Sequence, residues 1–113
     1  VEQVVLSLIQ NSREALRLVS ATGRIELRTS IRQGWVALEV WDNGPGIPEE
    51  IRSDIFEPFF TTKEPGQGMG LGLSVCTGIA VDHDGRLLLE ESIKGACFTL
   101  ELPIEREAAL VVN

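Results

Sequence analysis

The sequence is poor in basic residues and in metal or redox ligands. Lysine and arginine number 10 against 17 aspartates and glutamates, a formal charge of −7. An acidic surface of that kind repels DNA and anionic lipid, so neither nucleic acid nor direct membrane contact is expected. One histidine, His83, cannot build a metal cluster; at a predicted helix end it suits the C-terminal dipole. Cys76 and Cys97 sit among apolar neighbours and read as small buried hydrophobes of a reducing compartment, not a disulfide framework. No Cys/His pairing or Ser/His/Asp order points to nucleophilic catalysis. No apolar run approaches the roughly 20 residues of a membrane helix. No basic, apolar, small-residue leader is visible, so no secretory signal is expected and the expected location is cytoplasmic. The sequence starts at Val1 and its one methionine is Met69, which we read as an excised piece of a longer protein.

What is present suits one globular domain. The 113 residues are 43% apolar and 24% charged, enough for a real core. Val4, Val5, Leu8, Ile9, Ala15, Leu16 and Val19 recur at helical spacing over residues 1–20, closed by Thr22-Gly23. Ile25, Leu27, Thr29 and Ile31 alternate with polar residues, and Val36, Leu38 and Val40 alternate after a Gln33-Gly34 turn, which predicts a β-hairpin. Pro48, Glu49 and Glu50 predict a short helix over 48–56. A helix is predicted over 71–82, with Gly85 as its left-handed terminator. Strands over 87–92 and 97–102 flank a Lys94-Gly95 turn. This order predicts an α/β (α+β) two-layer sandwich, with a largely antiparallel sheet and helices on one face. Residues 1–104 form the expected domain, and 105–113 an acidic tail or linker.

Six of the eleven glycines and four of the five prolines fall between residues 44 and 72. That stretch reads as loop, and long loops in small domains often carry function. Gly68, Gly70 and Gly72 alternate just before a helix, where backbone N–H groups and the helix dipole favour a phosphate. The pattern is neither the P-loop, since no lysine follows, nor the dinucleotide fingerprint, since a loop precedes it. Asp42-Asn43-Gly44 is turn chemistry by itself; alternatively it places a carboxylate at a strand end to accept from an exocyclic amine such as adenine's. Gly44 and Gly46 would then let a ligand rest on backbone. Asn11 shares one edge of the apolar helix stripe with Ser7 and Glu14. It either bonds a neighbouring loop or offers a hard oxygen to Mg²⁺. Lys63 is either a solvated loop lysine or a point charge for a terminal phosphate. Phe56, Phe59 and Phe60 either anchor the loop on the core or move with it.

The segments matter most in their order. Leu8-Ile9-Gln10-Asn11-Ser12-Arg13-Glu14-Ala15 is followed by Asp42-Asn43-Gly44-Pro45-Gly46-Ile47-Pro48. Then come Phe56-Glu57-Pro58-Phe59-Phe60-Thr61-Thr62-Lys63, Gly68-Met69-Gly70-Leu71-Gly72-Leu73 and Gly95-Ala96-Cys97-Phe98-Thr99-Leu100. Over residues 2–103 this resembles the catalytic ATP-binding domain of bacterial sensor histidine kinases, with its N box, two glycine boxes, F box and last glycine-strand box. It looks most like the nitrogen- and oxygen-regulator type, with a short lid of Glu64 to Gln67.

The resemblance implies a Bergerat-type fold with a mostly antiparallel mixed sheet and three helices on one face. It implies ATP, with adenine on Asp42 and phosphates under a lid over 61–72. Asn11 would hold Mg²⁺ and Lys63 would meet the γ-phosphate, the two being the implied catalytic residues. Gly68, Gly70 and Gly72 would cradle phosphates, and Gly44 and Gly46 would line the nucleotide's path. Ile47, Phe60, Thr62, Met69, Leu71 and Leu73 would line the same site. The implied partners are the parent's own helical dimerisation domain, which carries the phosphoacceptor histidine, and a response regulator receiver domain. His83 matches the family's structural His-x-Gly position, not the acceptor. The strand that usually precedes the N box is missing, which implies an open sheet edge. Two positions depart from the pattern. Ser7 stands where the family has a second Asn and where related gyrase-, chaperone- and mismatch-repair-type ATPases have a Glu base, and Ala96 replaces a Thr or Ser. Ser7 cannot activate water at neutral pH, which argues against an efficient ATPase. A neutral imidazole acceptor needs no such base. The alternatives are a degenerate nucleotide-binding module without phosphotransfer and a hydrolytic ATPase.

Overall fold

The computed structural model describes residues 1–17, 22–60, 72–90, 92 and 94–104. Helix α1 (Glu2–Leu16) turns Val4, Leu8 and Ser12 inward at four-residue spacing and leaves Gln3, Leu6, Gln10 and Arg13 in solvent. Strands β1 (Ile25–Arg32) and β2 (Trp35–Asp42) pair antiparallel around Gln33-Gly34. Both turn residues have positive φ, 43° and 89°, matching the twist that a two-residue hairpin needs. After α2 (Gly72–Asp82), strands β3 (Arg86–Glu90) and β4 (Ala96–Pro103) form a second hairpin. β2 pairs with β4, giving the sheet order β1-β2-β4-β3.

Register decides the two faces. Val40 lies between Leu27 and Phe98, and Leu100 between Leu38 and Leu87. This apolar face packs under both helices, where Val4, Leu8, Cys76 and Ala80 meet Phe98 and Leu100. Phe98 is fully buried, and truncating such a side chain costs about 3–5 kcal/mol. The other face carries Arg32, Glu39, Thr99, Glu101 and Arg86.

Four expectations are corrected. All described strand pairs are antiparallel, so the described sheet is not mixed. The described residues hold two α-helices rather than three. Over 48–56 a 3₁₀ turn, Glu49–Ile51, continues as further turns, with Ile51 N–H on Pro48 C=O at 3.1 Å and Asp54 N–H on Ile51 C=O at 2.9 Å. No side chain caps this segment, and burial of Ile55 with partial burial of Ile51 pins it to the core after one turn. A segment that short does not repay α-helix nucleation. Finally, α2 closes with Asp84, not Gly85, in the left-handed region at φ 59°. Asp84 N–H reaches Val81 C=O at 2.9 Å and Gly85 N–H reaches Ala80 C=O at 2.8 Å, a Schellman closure. Gly85 is required for another reason: a Cβ there would run into the Glu101 carbonyl oxygen. No helix of the described residues is long and apolar enough to cross a membrane.

Candidate functional site

The site grows from the end of β2. Asp42 is 1% exposed and lies on the helix-side face between Ile25 of β1 and Ala96 of β4. Gly44 N–H donates to Asp42 Oδ1 at 2.9 Å and fixes the carboxylate. A carboxylate buried this deeply requires hydrogen-bond partners, and Gly44 N–H supplies one. Asn43 does the turn's structural work instead. Its Oδ1 accepts Arg24 N–H at 2.8 Å, its Nδ2 donates to Thr22 C=O at 3.1 Å, and its N–H donates to Arg24 C=O at 3.2 Å.

Backbone meets backbone beside the carboxylate. Gly46 (φ 79°) lies so close to the β3–β4 turn that a Cβ would stand 3.0 Å from Gly95 O. Gly95 (φ 76°) has no room for a Cβ against the Asp42 carbonyl. Ile47, Phe60 and Leu73 are partly buried against the core, and Gly72 opens α2 in solvent.

Asn11 is half-buried on α1, one turn before Ala15, whose Cβ would lie 3.4 Å from a Cβ on Gly44. Its amide oxygen is a hard ligand without a partner among the described residues, which fits Mg²⁺. Asp42, Gly44 and Gly46 thus lie at one end of β2, and Asn11 stands one helical turn before Ala15, which abuts Gly44. Thr62, Lys63, Gly68, Met69, Gly70 and Leu71 lie outside the described residues.

The remaining candidates divide. Phe56 packs edge-on against Phe98, with centroids 6.2 Å apart at 83°, and Phe60 leans on the same core. Phe59 instead points outward, 67% exposed, from a backbone at φ 67°. Ser7 faces α2, where its hydroxyl bonds the Cys76 thiol; burial pushes that thiol's pKa up. His83 is exposed, and its Nδ1 bonds Ile79 C=O at 2.9 Å, a helix-end role. Cys76 and Cys97 are free and buried. Two residues at this end of the sheet carried no expected site role. Gly95 read as a turn residue and as part of the last glycine-strand box. Ser12 is 0% exposed and its Oγ has no hydrogen-bond partner among the described residues. The spacing Val4, Leu8, Ser12 holds the signal, a polar residue on the apolar stripe.

The outer face of the sheet behaves differently. Arg32 reaches Glu90 at 3.1 Å and both Glu39 and Glu101 at 3.4 Å, and Arg86 holds Glu101 from the other side. The Thr99 hydroxyl donates to Glu90 and, with help from Arg32, holds that carboxyl below the usual range. Burial and the neighbouring Glu39 push the Cys97 thiol up. These side chains pair with one another.

The family model described as histidine kinase-, DNA gyrase B-, and HSP90-like ATPase matches residues 1–106. The chain belongs to that family. It is 42% identical over 111 residues to the two-component sensor PprA of Pseudomonas aeruginosa, a match covering 95% of this chain and 12% of that protein. The nucleotide-free catalytic domain of the histidine kinase ThkA superposes with a TM-score of 0.74 at 40% identity, over 89% of this chain and 64% of that one. ThkA in complex with the response regulator protein TrrA matches with a TM-score of 0.70 at 36% identity, over 93% of this chain and 28% of that one. The chain therefore spans a small part of the curated sensor it matches.

Proposed function

We propose that this chain is the ATP-binding catalytic domain of a cytoplasmic portion of a two-component sensor histidine kinase. Residues 1–104 are proposed as the domain and 105–113 as a tail or linker. The observation that carries the reading is the buried Asp42 carboxylate at the end of β2, anchored through one oxygen by Gly44 N–H. Its other oxygen accepts the exocyclic amine of adenine, and Gly44, Gly46 and Gly95 keep the approach free of side chains. Asn11 supplies an amide oxygen to Mg²⁺, which when bound neutralises phosphate charge. Lys63 and the glycines at 68, 70 and 72 would serve the phosphates.

The domain's contribution is positioning and charge neutralisation. An imidazole nitrogen on the parent's helical dimerisation domain forms the bond to the γ-phosphorus as the bond to the ADP oxygen breaks. A response regulator aspartate then receives the phosphoryl group, as the ThkA–TrrA assembly suggests for this partner class. Ser7, engaged with Cys76, supplies no base for water, which disfavours hydrolysis.

The test is incubation of the parent protein with γ-labelled ATP. Acid-labile label on histidine is expected. Steady phosphate release without labelled histidine would replace this reading with an ATPase, and nucleotide binding with neither would replace it with a regulatory module.

A further inference from the structure

We propose that the free edge of β1 is a self-association surface, on which a second copy of this chain lays its own β1 antiparallel and joins the two four-stranded sheets into one. Among the described residues the sheet has two outer strands, and they differ. β3 is five residues long, and short edges resist further pairing. β1 is eight residues long and contains neither proline nor lysine, residues that blunt an edge. Its helix-side residues are also uncovered. Ile31 is 74% exposed and Leu27 50%, and Val36 of β2, opposite Ile31, is 41% exposed. Unpaired backbone groups beside bare apolar side chains are a template for another strand.

The hairpin fixes which backbone groups are free. Arg32 and Trp35 close its two-residue turn as a hydrogen-bonded pair, and such pairs recur at every second residue. Asn43 N–H on Arg24 C=O at 3.2 Å keeps the same phase at the far end. Glu26, Arg28, Ser30 and Arg32 thus turn their backbone groups to β2, whereas Ile25, Leu27, Thr29 and Ile31 turn theirs to the free edge. Charge then selects the register. With Thr29 on the two-fold axis, Thr29 faces the partner's Thr29 and Leu27 faces the partner's Ile31, so both copies cover their exposed apolar residues. On the outer face Glu26 meets the partner's Arg32, and Arg28 meets the partner's Ser30. An axis on Arg28 would set that residue against the partner's Arg28, and an axis on Ser30 would set Arg28 against the partner's Arg32; like charges directly opposite are destabilising. An axis on Leu27 would leave Ile31 opposite the partner's Gly23.

The test is sedimentation of the 113-residue chain between about 1 and 300 µM, since one strand pair belongs to the small, weak class of contact. The average mass should rise from one chain toward two. Ile31→Lys puts a charge on the seam and should weaken the dimer at least about tenfold. The melting temperature of dilute protein should not change, because Ile31 of the single chain already lies in solvent. Thr29→Cys should be captured as a disulfide-linked dimer under mild oxidation, since the axis sets it against itself; Glu26→Cys, far from its own copy, should not. One chain at every concentration overturns the proposal. A dimer that Ile31→Lys leaves intact, or that Thr29→Cys does not link, forms elsewhere and also overturns it. A longer piece of the parent, with residues ahead of Val1, that stays monomeric where the 113-residue chain pairs would assign the edge to that segment and overturn it as well. None of these outcomes bears on the ATP-site reading.

Discussion

On the outer face of the sheet, Arg32 is within 3.4 Å of three carboxylates, and Thr99 and Arg86 complete the set. On the helix-side face, Asp42 and Ser12 are 1% and 0% exposed; Asp42 accepts one hydrogen bond, from Gly44 N–H, and the Ser12 hydroxyl has no partner among the described residues. The Arg32 side chain is 37% exposed, so water is at hand where pairing is complete and excluded where pairing is not. Selection for stability alone would produce the reverse. We propose that the contrast separates polar groups that hold the fold from polar groups kept for a ligand.

The largest expected break in this contrast is Asp42→Asn. Its oxygen can still accept Gly44 N–H, but its NH₂ opposes the adenine amine. ATP affinity should fall about a hundredfold, the scale of a lost charged hydrogen bond plus an unpaired donor. Calorimetry with ATP and GTP checks this; a wild type that binds both equally removes the base-reading role. Glu101→Ala should do the opposite. It leaves the guanidiniums of Arg32 and Arg86 short of a partner, lowering stability by about 1–2 kcal/mol in urea titrations, with ATP affinity unchanged. Asn11→Ala should weaken ATP binding roughly tenfold with Mg²⁺ present and leave it unchanged in chelator; equal Mg²⁺ dependence in wild type and variant removes Asn11 from the metal site.

The smallest effect is Glu90→Gln. The folded-state pKa of Glu90 lies below the ordinary 4.5, first through Thr99 and then through Arg32. Its stabilisation is therefore present above the ordinary value and lost as pH falls through the lower folded value. Melting temperature followed through the acid range should decline less steeply in Glu90→Gln than in wild type.

The sheet was legible because strand alternation survives burial: Leu27, Val40, Phe98 and Leu100 share a face by parity alone. The hairpin turn was legible because Gln33-Gly34 satisfies a local backbone demand. The segment 48–56 was not, because Pro48 and two following glutamates open a 3₁₀ turn as readily as an α-helix, and core contacts of Ile55 stop it. Gly85 was misassigned because the obstacle, the Glu101 carbonyl, comes from a distant strand. Asp42-Asn43-Gly44 was ambiguous because it does two jobs. Asn43 makes the turn, which frees Asp42 to face inward. Ser12 stood in plain view on the apolar stripe, but a missing partner is a property of the packed structure, not of spacing.

The most direct test of the contrast is the melting temperature of wild type and Asp42→Asn with and without Mg-ATP. Open polar groups kept for a ligand predict that Mg-ATP raises the wild-type midpoint. They also predict that Asp42→Asn melts no lower than wild type without nucleotide, while losing the shift. An Asp42→Asn chain that melts well below wild type yet keeps the full Mg-ATP shift would show that Asp42 holds the fold rather than the nucleotide.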